Sequence, residues 1–182
     1  MENSTKVVTG KVRFCYVNVF EPTAMNEGDT PKYNICILIR KDDAKTLETI
    51  NKAIEAAKQA GKAKLADKNG KIPSNLKLPL RDGDDERGDD PAFEGMYFIN
   101  ANSNRKPSIV DKDLNPIMEK EEFYSGCFGR ASINFYAFNV SSKGIACGLN
   151  NLQKLEDGEM LAGGSTAEED FGGENEWNDE LM

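Results

Sequence analysis

Hydrophobic and polar positions along this chain follow a period of two in about five stretches and a helical period in one. Residues 6–20 (KVVTGKVRFCYVNVF) are dense in Val, Phe and Tyr, and Glu21-Pro22 closes the run. This reads as one long strand, with Gly10 a bulge or bend within it. Residues 32–40 (KYNICILIR) alternate cleanly. Tyr33, Ile35, Ile37 and Ile39 share one face, and Lys32, Asn34 and Arg40 lie on the other. The period then changes. Leu47, Ile50, Ile54 and Ala57 recur at helical spacing, Asp42 or Asp43 offers an N-cap and Gly61 a C-cap, which predicts an amphipathic helix over 43–60.

Residues 62–94 are polar and rich in Gly, Asp and Pro, with Leu76, Leu78 and Leu80 as isolated anchors. They read as a long loop carrying at most a short strand or one helical turn. Strand character returns at 95–101 and around 107–110, a hairpin-like insert fills 111–122, and 126–140 forms another long strand. Residues 141–144 make the turn into a last strand at 145–152. No internal repeat is visible. Long, bent, Gly-containing strands in a short chain favour a small barrel over a stacked sandwich. The expected fold is mainly β: a five-stranded barrel like the oligonucleotide/oligosaccharide-binding (OB) fold, with one inserted amphipathic helix and long loops.

Charge divides the chain at about residue 155. Of the 31 acidic residues, ten lie in 156–182, whereas all 23 basic residues precede them. The body is therefore near +2 and the tail −10, giving the net −8. A sequence pI near 4.8 argues against nucleic acid only until the tail is set aside. Residues 1–155 are expected to fold as one domain, and 156–182 to form a disordered acidic tail. The tail holds the only Trp. Phe171, Trp177, Asp179, Glu180 and Leu181 read as anchors that another protein grips.

Four Cys (Cys15, Cys36, Cys127, Cys147) lack C-x-x-C spacing and read as reduced core residues. There is no His, which removes Ser-His-Asp and Cys-His catalysis and His-containing zinc sites. The N-terminus has no apolar signal region and no run reaches membrane-spanning length, so a cytoplasmic protein without a membrane partner is expected. The acidic run Arg81–Asp90 resembles a metal loop only superficially. Its spacing does not match a calcium loop and two Arg partly neutralise it, so no metal or other cofactor is expected.

The strand at 126–140 carries the candidate chemistry. Ala131, Ile133, Phe135 and Ala137 form a core face, while Arg130, Ser132, Asn134, Tyr136 and Phe138 form the other. A face mixing a cation, amide and hydroxyl groups and two aromatics needs a partner. Bases stack on such rings and phosphates pair with Arg; otherwise Tyr136 and Phe138 pack under a loop or against the helix. Neighbours in a strand face opposite ways, so either Tyr97 or Phe98 also points away from the core. The following Arg105 and Lys106 sit in a polar loop. Arg13, Lys32 and Lys143 would extend a basic surface.

Several runs carry a family resemblance. They are Pro31–Ile39 with the following helix, Leu80-Arg-Asp-Gly-Asp, Gly95–Ala101, Tyr124–Tyr136 and Lys143–Lys154. Over about residues 5–160 the chain resembles a bacteriophage family, once catalogued as a domain of unknown function, of single-stranded-DNA-binding proteins with the OB fold. The resemblance implies a non-catalytic protein that coats single-stranded DNA during replication or recombination, with an acidic tail for replication or recombination proteins. The tail departs from that family's usual terminal aromatic or apolar ending only in that Trp177 lies five residues from the end. Two rival readings are an acidic decoy that imitates DNA and a metal-dependent nuclease using Asp82, Asp84, Asp85 and Asp89. An exposed barrel edge leaves room for a homodimer, though no residue pattern compels one.

Overall fold

A computed structural model describes residues 4–24, 28, 30–140 and 142–161. In chain order the elements are β1 (Lys6–Val8), β2 (Val12–Thr23), β3 (Lys32–Arg40), α1 (Ala44–Ala60) and a single turn α2 (Lys62–Leu65). There follow β4 (Arg81–Asp82), the turn α3 (Gly83–Glu86) and a 3-10 turn at Pro91–Phe93. β5 (Met96–Ser103), β6 (Ser108–Val110), β7 (Phe128–Val140) and β8 (Ser142–Glu156) complete the chain.

Five of the strands close on themselves. β2 pairs antiparallel with β3, β3 with β5, β7 with β8 and β7 with β2, while β5 meets β8 in parallel at Asn102↔Gly148. The ring β2-β3-β5-β8-β7 is the five-stranded OB barrel expected from the sequence. The first predicted strand is split around Gly10. β1 lies against β7, with Lys6 opposite Asn134, and the chain then bends into β2.

Alternation decides what fills the barrel. Phe14, Ile35, Ile37, Ile39, Ile99, Ile133 and Phe135 point inward and are essentially buried. Helix α1 closes this core with Ile50, Ile54 and Ala57, three of the four positions that predicted it. Asp43 caps the helix by accepting from the Thr46 N–H at 3.2 Å, and the Thr46 hydroxyl accepts from the Gly10 N–H at 3.3 Å. The cap thus also fixes the bend between β1 and β2. All four cysteines are buried free thiols.

A second apolar cluster lies outside the barrel. Cys15, Cys36, Leu38 and Phe98 face outward from β2, β3 and β5 and are closed over by Phe93. The Phe93 and Phe98 rings meet edge-on, 5.2 Å apart at 89°. The segment predicted as a long loop is therefore partly ordered, because it covers this apolar patch. Asp82 starts α3 by accepting from the Asp84 and Asp85 N–H groups, and the Lys41 ammonium holds Asp82 at 2.7 Å and Asp84 at 2.8 Å. The predicted turn at 141–144 is shorter than expected: β7 and β8 stay paired as far as Val140↔Ser142.

Beyond β8 the chain lies back against the body. Tyr124 Oη donates to Asp157 Oδ1 at 2.9 Å, Arg13 Nη2 donates to the Glu159 carbonyl at 2.7 Å, and the Leu161 N–H donates to the Ser125 carbonyl at 2.8 Å. Leu161 packs on the second apolar cluster.

Candidate nucleic-acid interface

The outward-facing positions of β2, β3 and β5 divide into an apolar half, covered by Phe93, and a polar half left open. In the open half the register sets Asn34 opposite both Asn18 and Asn102, and Cys36 opposite Asn100. Asn18 Nδ2 donates to Asn34 Oδ1 at 3.0 Å, and Asn34 Nδ2 donates to the Thr23 hydroxyl at 3.0 Å. Asparagine is disfavoured in strands, so four on one sheet face are better explained by a ligand than by folding. They lie in a groove of about 750 Å³ whose sides include Tyr16, Lys32 and Arg87.

Tyr16 stands at the rim, 48% exposed, with φ 47°, in the left-handed region that favours glycine. Its position follows from the register. Cys15 pairs with Cys36 and Asn18 with Asn34, so Tyr16 and Val17 together oppose Ile35 alone. This is a β-bulge, which re-aims a side chain. Its ring centroid lies 6.4 Å from that of Phe93. Partial burial, followed by the nearby Asp90 carboxylate, pushes the Tyr16 phenol up, against the opposing effect of Arg87. The hydroxyl is therefore a neutral donor at physiological pH. Arg87 lies over the Phe98 and Phe93 rings at 5.4 and 5.9 Å, which positions its guanidinium at the groove. Among the described residues, neither Lys32 nor Arg87 forms an ion pair with a carboxylate.

The residues anticipated from sequence are dispersed around this centre. Lys32 lies in the groove. Phe98 points away from the barrel core, as one of the pair had to, but it is 0% exposed beneath Phe93, so no base reaches it. Tyr97 has the inward parity and sits at the far end of β5, with Lys41 over its ring at 5.3 Å. Arg13 ties the chain after β8 to the body, donating to the Gly126 carbonyl at 3.0 Å as well as to Glu159. Lys143 is spent similarly on the Leu65 and Ala66 carbonyls at 3.3 and 3.1 Å. Arg130 is exposed and donates through Nε to the Thr9 carbonyl at 2.9 Å. Tyr136 is 43% exposed on the outer face of β7, whereas Phe138 packs its ring edge on Gly144. Arg105 and Lys106 line a separate groove. Phe171, Trp177, Asp179, Glu180 and Leu181 lie outside the described residues.

Sequence reasoning missed Tyr16, Asn18, Asn34, Arg87, Asn100 and Asn102. An asparagine on each of three predicted strands, Asn18, Asn34 and Asn100, was the available signal. Asp82 and Asp84, offered to a metal by the nuclease reading, are engaged by Lys41. That ammonium is the first cause holding both carboxyls below their ordinary value. Among the described residues no group of three or more His, Cys, Asp or Glu side chains is placed to hold a metal ion, and no helix is long and apolar enough to cross a membrane.

A five-stranded OB barrel with an amide-floored, cation-edged groove on its β3–β5 face belongs to the class of folds that hold oligonucleotides and oligosaccharides on that face. Comparison with known proteins narrows the class. The family model described as Enterobacter phage Enc34, ssDNA-binding protein, matches residues 5–182, and the chain belongs to this family. The structure of the single-stranded DNA-binding protein from bacteriophage Enc34 in complex with ssDNA is 26% identical, with a TM-score of 0.75 over 89% of this chain and 95% of that one. The putative protein p50 of Acyrthosiphon pisum secondary endosymbiont phage 1 is 28% identical over 166 residues, 89% of each chain. The bacteriophage T7 single-stranded DNA binding protein gp2.5 shares the fold, with a TM-score of 0.64 at 11% identity over 91% of this chain and 99% of that one.

Proposed function

We propose that the chain binds single-stranded DNA without sequence preference, in the groove across β2, β3 and β5. The observation that carries this reading is the bulge that aims Tyr16 over a floor of asparagines, between Lys32 and Arg87. The ring supplies a stacking surface open to every base, the cations meet phosphates, and the amides adapt to base edges or sugars. The Enc34 relative's complex with ssDNA supports the same ligand. The role is non-catalytic: protection of single strands during phage replication or recombination, in the host bacterial cytoplasm.

The division into a DNA-binding body and an acidic tail is part of the same proposal, with 157–161 serving as the tail's root. That root runs past Arg13 to Leu161, on the cluster beside the groove. Twenty-one residues follow, and a flexible chain of that length spans about 25 Å on average. Its acids therefore compete for the groove at high effective concentration. When DNA displaces them, Phe171, Trp177 and Leu181 become available to a replication or recombination protein.

The test is binding of labelled oligo-dT at two salt concentrations, by the full chain and by a truncation after Leu161. The truncated chain should bind more tightly, and both should weaken as salt rises. If neither form binds at low salt, the reading fails. If truncation leaves affinity unchanged, competition by the tail is wrong although DNA binding stands.

A further inference from the structure

A second groove, of about 580 Å³, lies where the end of β5 and the loop after it approach β1, β7 and β8. Lys6, Arg105 and Lys106 line it with Ser103, Asn134 and Asn150, and among the described residues no carboxylate does. All three cations are exposed, and among the described residues none forms an ion pair. Among the described residues no aromatic side chain lines the groove; the Phe20 ring lies under Lys106 at 5.6 Å. The chemistry is that of a polyanion backbone: ammonium, guanidinium, amide and hydroxyl donors with no ring on which a base could stack.

The second groove adjoins the first. Asn102 lies in the Tyr16 groove and Ser103, its neighbour, in this one. Asn102 is also the residue through which β5 meets Gly148 of β8, and Gly148 pairs with Asn134 of β7. On the Arg87 side of the Tyr16 groove, Asp84 is held by Lys41 and Glu86 by Arg81, whereas Asp89 and Asp90 form no ion pair among the described residues. The cations that form no ion pair gather on the Ser103 side, where they attract phosphates. A strand leaving the first groove is thereby directed into the second.

We propose that Lys6, Arg105 and Lys106 form a second single-stranded-DNA subsite, which carries the sugar-phosphate backbone across β8 toward the outer face of β7 without reading its bases. This rests on the proposed binding of single-stranded DNA in the Tyr16 groove. It divides the site into a stacking part and a purely electrostatic part.

The experiment compares dT oligonucleotides of about 5 and about 16 nucleotides, the span of site sizes for one OB fold. It uses the parent chain, the variant Lys6→Ala/Arg105→Ala/Lys106→Ala, and a charge-matched control, Lys45→Ala/Lys62→Ala/Lys112→Ala, at three exposed positions outside both grooves. The subsite variant should bind the longer oligonucleotide at least about tenfold more weakly at low salt. The slope of its log affinity against log salt should fall by about 2, near 0.7 for each of three single-strand phosphates. Its affinity for the shorter oligonucleotide should match that of the control. A 16-mer made abasic in one half should bind the parent nearly as well as the intact strand for one choice of half, and much more weakly for the other.

Equal losses for both lengths, or equal losses in variant and control, overturn the subsite. So does equal sensitivity to abasic sites in either half. A parent that binds neither oligonucleotide overturns the underlying reading as well. A parent that binds both lengths equally tightly overturns the extension alone. Unchanged thermal melting of the two triple variants verifies that the comparison concerns binding.

Discussion

Tyr16 offers the sharpest test of the groove, because its two roles predict opposite changes on one substitution. The ring is half exposed, so removing it costs little core packing, whereas a base stacked on it is worth about 1–3 kcal/mol. Tyr16→Ala and Tyr16→Gly should therefore each weaken oligo-dT binding about 5- to 150-fold. Stability separates the two variants. At an ordinary strand position Gly is less stable than Ala by roughly 0.5–1 kcal/mol. At φ 47° any side chain bears left-handed strain of about 1–2 kcal/mol, which only Gly relieves. The two effects leave Tyr16→Gly about 0.5 kcal/mol more stable than Tyr16→Ala, a rise of roughly 1–2 °C in melting temperature for a domain of this size. Fluorescence anisotropy with labelled oligo-dT measures the first effect and calorimetric melting the second. A Gly variant that binds like the parent refutes the site. One that melts below the Ala variant refutes the strained bulge as the reason the ring stands where it does.

Phe98→Ala should act on stability, with a loss of about 3–5 kcal/mol seen in urea unfolding, because the ring is wholly buried under Phe93. Gly126→Ala should detach the root of the tail. Gly126 has φ 117° and an added Cβ would run into the Glu159 carbonyl, so hydrogen exchange at the Leu161 amide should accelerate while the barrel amides keep their protection. The same root should respond to acid. Lys154, and after it Tyr124, hold the Asp157 carboxyl below its ordinary value of 3.8. Its contribution is thus fully present above pH 3.8 and is lost as pH falls through the depressed value. Carboxyl NMR titration should find Asp157 below 3.8, and Leu161 exchange should rise only in that acidic window.

The parts of this protein legible in its sequence are those fixed by neighbours along the chain. Alternation at 32–40 predicts β3 with its observed bounds, and the spacing of Leu47, Ile50, Ile54 and Ala57 predicts α1 to within a residue at its start. What stayed hidden depends on how segments fold back on one another. Strand alternation does not show that the 3-10 turn five residues ahead folds Phe93 over Phe98, and nothing near Lys143 shows that carbonyls at Leu65 and Ala66 hold it. The outer face of β7, read from sequence as a stacking face, keeps Tyr136 exposed but packs Phe138 against its neighbour strand. An aromatic-polar face on one strand looks alike whether it borders a ligand groove or packs beside a small residue, as Phe138 does on Gly144.

Asparagine carries a different signal, for a physical reason. An aromatic on a strand is explained equally well by packing or by binding, since both bury it. A strand asparagine has poor propensity and gains nothing from apolar burial, so its presence on a sheet face calls for hydrogen-bonding partners. Here Asn18 and Asn34 satisfy part of that need between themselves and with Thr23. Among the described residues the Asn100 and Asn102 side chains form no such bond, and they lie on the strand that leads toward Arg105 and Lys106. Binding capacity left over on the β5 side, together with the cations beyond Ser103, orients the proposed interface. In the proposed complex, a strand seated by Tyr16 finds its remaining partners toward Ser103.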